Sequence, residues 1–126
     1  MTNSKTGRRL VLGLILGLAS LLSGCGGKYS SSCKKAVDLT APWSSFGFPV
    51  SDGRVCESGT KDAKIQYISK DTDKWRAAYE DKMLGAGYEK KDCKSGYCVY
   101  AKGTSRVQII VSSIDRWVNV AVHENR

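Results

Sequence analysis

Residues 88–123 read YEKKDCKSGYCVYAKGTSRVQIIVSSIDRWVNVAVH, and this stretch decides the fold. Lys94-Ser95-Gly96, Gly103-Thr104 and Ser113-Ile114-Asp115 have turn composition and divide it into four runs, 88–92, 97–102, 105–112 and 116–123. In the last two, Val107, Ile109 and Val111 alternate with Arg106, Gln108 and Ile110, and Val118, Val120 and Val122 alternate with Trp117, Asn119, Ala121 and His123. Strand side chains repeat with a period of two, so one set faces a core and the other faces away. Turns this short join antiparallel neighbours.

Upstream of the four runs lies the clearest helical signal. Trp75, Ala78, Tyr79, Met83 and Ala86 recur at three-and-four spacing and so share one helix face, with Asp71 as N-cap and Gly87 as the stop. The opposite face carries Lys74, Arg76, Glu80 and Asp81 and is expected to be solvated. Two further runs, 54–57 and 64–69, follow the turn signals Asp52-Gly53 and Ser58-Gly59-Thr60 and read as strands. The fold class is α+β, one helix packed on a five- to six-stranded mainly antiparallel sheet with two disulfides. Trp117 and Ile110 fall on the face away from the helix and need cover. The aromatic, turn-rich entry formed by Trp43, Phe46, Phe48, Pro49 and Val50 is expected to fold over them. Left uncovered, they would form an apolar and basic patch, and the candidate binding face is Tyr100, Lys102, Arg106, Ile110 and Trp117.

The chain has 126 residues, 41% hydrophobic and 25% charged, which suits one small domain and excludes both a multidomain enzyme and wholesale disorder. Its net charge of +8 is unevenly placed. Residues 1–9 hold Lys5, Arg8 and Arg9 with no acid, and residues 10–22, LVLGLILGLASLL, hold no charge. That order is the basic n-region and apolar h-region of a secretory signal. A spanning helix needs about 20 apolar residues, and Ser23, Gly24, Cys25, Gly26 and Gly27 end this one too early.

Leu22-Ser23-Gly24-Cys25 resembles the lipobox of bacterial lipoproteins: a branched apolar residue, two small ones and the cysteine. The resemblance covers about the first 25 residues. It implies transfer of a diacylglycerol to the Cys25 sulfur, cleavage before Cys25 and acylation of the new amino group, usually with palmitate among the chains. One acyl chain holds a protein only marginally, at about 0.8 kcal/mol per buried CH₂, whereas two or three anchor it firmly. The expected organisation is signal peptide 1–24, lipidated cysteine and polar tether 25–32, and one domain 33–126. Gly26 after the cysteine resembles the outer-membrane-directed type of two-membrane bacteria.

The cysteines agree with this. Five is an odd number for an exported chain, and lipidation of Cys25 leaves Cys33, Cys56, Cys93 and Cys98. Three pairings are open, of which Cys93 with Cys98 is the easiest because it closes across the mouth of a hairpin loop. Cys33 with Cys56 then follows by elimination. A zinc site would compete for four cysteines, but there is no CxxC pair and His123 is the single histidine. No metal or cofactor is expected beyond the covalent lipid.

Catalytic patterns are sparse. His123 lies near the C-terminus, away from any serine or cysteine nucleophile motif, and no phosphate loop or dinucleotide fingerprint is present. Asp71 and Asp73 read as helix-start residues and Glu80 and Asp81 as solvated, which leaves carboxylate hydrolysis with little support. The basic balance suggests nucleic acid, with Tyr100, Lys102, Arg106 and Trp117 as a stacking and phosphate surface. Removing the signal peptide leaves 17 basic residues against 12 acidic, or +5, because three of the 20 basic residues go with it. Such an excess suits membrane or envelope electrostatics better. Residues 97–103, YCVYAKG, are also similar to the Y-x-x-x-T-K-G signature of membrane-bound lysozyme inhibitors, with Ala101 in place of threonine. That resemblance implies a small β-barrel, from which the helix here departs. The expected function is a non-enzymatic binding or structural module of the envelope, with a protein, a lipid headgroup or an anionic polymer as partner, and a lysozyme-inhibitor-like module as the alternative.

Overall fold

The computed structural model describes residues 29–125, so the expected signal peptide 1–24 and Cys25 lie outside the described residues. Six strands, β1 (Arg54–Ser58), β2 (Asp62–Ile68), β3 (Glu89–Lys94), β4 (Tyr97–Lys102), β5 (Ser105–Ile114) and β6 (Trp117–Glu124), form one open sheet in the order β1-β2-β6-β5-β4-β3. Every neighbouring pair is antiparallel. Among the described residues the single α-helix, α1 (Thr72–Gly85), crosses from β2 to β3 and packs on one face, as the sequence pattern requires.

Local chemistry sets the ends of α1. The Asp71 carboxylate accepts from the Lys74 backbone N–H at 3.0 Å, satisfying one of the free amides of the first turn. At the other end Gly87 adopts φ +89°, a conformation that favours glycine, and the amides of Gly87 and Tyr88 donate back to Leu84 and Met83. Trp75, Tyr79 and Met83 are buried against the sheet, facing the valines of β5 and β6 together with Ala63, Ile65, Tyr67 and Tyr100.

One helix is too narrow for this sheet. Six strands spaced about 4.8 Å apart span roughly 24 Å, whereas a helix with its side chains is about 10 Å across. The helix α1 lies over β3, β5 and β6, which leaves the β1–β2 side of the same face open. The segment of Trp43, Phe46, Phe48, Pro49 and Val50 fills that space. This corrects the expectation that it covers Ile110 and Trp117 on the opposite face. Its rings continue the helix layer: Trp43 meets Phe46 at 6.1 Å, Phe46 meets Phe48 at 5.2 Å, and Phe48 meets Tyr79 at 4.6 Å. Tyr67 then stacks on Trp75 at 3.7 Å. The Trp43 indole N–H donates to the Gly59 carbonyl at 2.8 Å, locking the segment to the β1–β2 turn.

Both expected disulfides form, Cys33 with Cys56 and Cys93 with Cys98. Cys56 sits where the β1 register slips between Val55 and Glu57, a bulge that adds one residue to the edge strand. Upstream of β1, Val37 donates to the Val55 carbonyl and Thr40 to the Ser58 hydroxyl, so residues 37–40 lie beside that edge. The other edge, β3, is exposed along its length and is guarded by Lys90, Lys91 and Lys94.

Candidate binding face

The register divides the five residues of the expected binding face between the two sides of the sheet. Tyr100 stands opposite Val107, and Lys102 opposite Ser105, on the helix side. Tyr100 is 1% exposed, and its hydroxyl donates to Glu80 of α1 at 3.0 Å. The Lys102 ammonium donates to the Ala86 carbonyl at 2.8 Å, at the helix C-terminus, where a cation offsets the helix dipole. Both therefore leave the binding face. Alternation alone could not place them, because residues 97–102 are largely apolar on both faces. Arg106, Ile110 and Trp117 do share the far face, so the stacking surface proposed for nucleic acid is split between two sides of the sheet.

Glu80 is also corrected: it is turned toward β3 and β4 rather than wholly into solvent. It pairs with Lys90 at 2.9 Å as well as accepting from Tyr100. The Lys90 ammonium holds its carboxyl below the ordinary glutamate value; burial opposes this to a smaller extent, and the Tyr100 hydroxyl adds to the lowering. A depressed carboxyl contributes stability above its unfolded pKa and loses it as pH falls through the folded value. Accordingly, Glu80→Gln should flatten part of the fall in melting temperature below about pH 4.5, where unfolded glutamate begins to protonate. Melting curves between pH 7 and pH 3 check this, and parallel curves for variant and parent would contradict it.

The far face is built in rows across the strands. At one rim Ile68, Trp117 and Ile114 stand side by side on β2, β6 and β5. Ile68 is 47% and Ile114 60% exposed, Trp117 is half-buried, and the Arg116 guanidinium lies 5.9 Å from the Trp117 ring. The next row is Gln66, Asn119 and Ser112. Gln66 is only 2% exposed, with Ser30 seated on it. Its amide oxygen accepts from the Ser30 backbone at 2.9 Å, and its amide nitrogen donates to the Ser30 hydroxyl at 2.7 Å and to Asn119 at 2.8 Å. Tyr29 is held over the Arg54 guanidinium at 4.3 Å, and that guanidinium also donates to the carbonyls of Cys33 and Lys34. Tyr29 to Ser32, assigned by composition to the tether, are thus seated on the sheet.

Beyond the amide row the face is hollow. Ala121 supplies a small floor between Lys64 and Ile110, leaving a cavity of about 270 Å³ bounded also by Ser32, Glu57 and Asn119. It continues toward His123, whose Nδ1 lies 3.8 Å from Asp62. This imidazole meets no serine or cysteine nucleophile in the described hydrogen bonds, and Asp71 and Asp73 are engaged as a helix cap and with Arg76. Among the described residues no group of three or more histidines, cysteines or acids is placed to hold a metal, and no helix is long and apolar enough to cross a membrane. The buried hydroxyls of Tyr67 and Tyr79 lie 2.6 Å apart in the core. Burial pushes Tyr67 up to about 12 and raises Tyr79 as well, so the pair is a protonated core bridge.

Fold and surface define a small, doubly disulfide-bonded α+β domain with an open antiparallel sheet, a helix layer on one side and a partly covered polar and apolar face on the other. Against models of protein families, curated protein sequences and solved structures, the chain finds no match.

Proposed function

We propose that this protein is a bacterial cell-envelope lipoprotein, a non-enzymatic binding or structural module tethered to a membrane through lipidated Cys25. The observation that carries the reading is the run of basic residues, thirteen uncharged residues and Leu22-Ser23-Gly24-Cys25. Cysteine usage supports it: Cys33, Cys56, Cys93 and Cys98 are consumed in two disulfides, which suits an oxidising compartment and leaves Cys25 for another chemistry. In a two-membrane cell the outer membrane is the expected destination. The partners that fit are an envelope protein, a lipid headgroup or an anionic polymer, met by the far face of the sheet. In the lysozyme-inhibitor-like alternative the signature lysine would be Lys102, which is engaged with the end of α1, and no feature of the geometry favours that reading.

Cys25→Ser should abolish palmitate labelling and move the protein from the detergent phase to the aqueous phase on cloud-point partitioning. Unchanged labelling and partitioning would refute the anchor. The substituted residue precedes the described domain, so the melting temperature of the domain should stay the same.

A further inference from the structure

We propose that the row Ile68, Trp117 and Ile114 docks on the lipid bilayer, so that the domain rests on its membrane by this rim of the sheet. The inference rests on lipidation of Cys25 and adds to it which surface the membrane meets. Cys25 and Tyr29 are separated by Gly26, Gly27 and Lys28 alone, and four backbone steps reach at most about 14 Å. Tyr29 is fixed over Arg54 and Ser30 on Gln66, and the cysteine bridge from Cys33 to Cys56 ties the segment down behind them. Gln66 stands two residues from Ile68 on the same face of β2, about 7 Å along the strand. Counting the further step to Ser30 and the Gln66 side chain that holds it, the apolar row is within roughly 30 Å of the anchored residue at full extension of the linking residues.

Chain direction adds to distance. Arg54 opens β1 and pairs with Gln66, whereas Cys56 and Glu57 lie farther from Ile68. The described segment begins at the row of Arg54 and Gln66, next to the apolar row, and runs away from it toward Ser32 and the cavity. The side-chain types suit a bilayer interface: Trp117 and Tyr29 have apolar bodies with polar tips, and Arg116 and Lys70 are exposed long cations whose stems can lie along apolar surface. Asp115 shares the turn with Arg116, so apolar contact rather than net charge carries the docking. The hollow above Ala121 lies beyond the amide row and stays open to the aqueous side.

The test uses the full-length acylated protein reconstituted in phosphatidylethanolamine and phosphatidylglycerol vesicles, with a matched set containing lipids brominated high on the acyl chain. Trp43 and Trp75 are buried in the core, so Trp117 is the tryptophan that bromine should reach. Bromolipid should remove most of the emission that Trp117→Phe also removes, and the remaining emission should be insensitive to it. Ile68→Ser with Ile114→Ser should abolish this quenching while the protein still floats with the vesicles. Co-flotation without Trp117 quenching would overturn the docking and leave the anchor intact. Failure to co-float would sink the anchor itself, and the docking with it. Shielding of Trp117 that depends on protein density and not on bromolipid would assign the row to a second copy of the chain and overturn the proposal.

Discussion

Trp43→Ala is expected to lower the unfolding free energy by about 3–5 kcal/mol, the usual cost of emptying a fully buried aromatic site. Three losses coincide there. Trp43 is completely buried, it stacks toward Phe46, and its indole N–H holds the Gly59 carbonyl. Removing it opens the half of the core that α1 does not reach and frees the entry segment from the β1–β2 turn. A small domain has only about 5–15 kcal/mol in total, so the variant should approach the unfolding threshold at physiological temperature. Urea titration reads the effect as a lower midpoint with an unchanged slope. Ile114→Ala serves as the contrast, since a residue 60% exposed should cost less than about 0.5 kcal/mol. A Trp43→Ala loss as small as the Ile114→Ala loss would show that the entry segment does not complete the helix layer.

Replacing Cys33 and Cys56 together by serine is expected to cost roughly 3 kcal/mol, from the unfolded-chain freedom restored when a loop of this length is released. The two cysteines are 23 apart in sequence. The corresponding change at Cys93 and Cys98, only five apart, should cost less, roughly 2 kcal/mol on the same basis. Their structural consequences also differ. The first bridge secures the segment that covers Gln66, so its loss should increase hydrogen exchange at Ser30 and along β2, whereas loss of the second should act on β3 and β4. Equal cost and the same exchange pattern for both pairs would contradict this division.

The parts of this fold that were legible in sequence are those in which local period and burial coincide. The valine alternation in β5 and β6 has one dominant solution, and α1 combines a cap at Asp71, a stripe at Trp75, Tyr79 and Met83, and a stop at Gly87. Boundaries shifted where turn composition and turn geometry part. Ser113-Ile114-Asp115 reads as a turn, yet β5 continues through Ile114 because the reversal is made by Asp115, at φ +55°, and Arg116.

Side assignments failed where they depend on distant partners. Tyr100 and Lys102 belong to the helix side because Tyr100 pairs with Val107, and nothing within residues 97–102 encodes that register. The position of Trp43 to Val50 depends on the width of a helix against the width of a sheet, a global quantity that no periodicity reports. Gln66 and Ser30 left a fainter signal. A glutamine between Ile65 and Tyr67 marks the polar side of β2, but its burial comes from a serine 36 residues away in a stretch whose composition resembles a linker. Glu80 follows Tyr79 on the helix, near enough to the sheet-facing stripe to reach Lys90 and Tyr100, which a two-sided helical reading does not resolve.

The proposed lipid anchor is most directly tested by the intact mass and N-terminal peptide of the full-length protein isolated from the cells that make it. The proposed function predicts a chain that begins at Cys25, with residues 1–24 gone, a diacylglyceryl group on the cysteine sulfur and both remaining cysteine pairs oxidised. An N-terminal peptide in which Cys25 carries no lipid, or a chain that retains the residues before it, would contradict it.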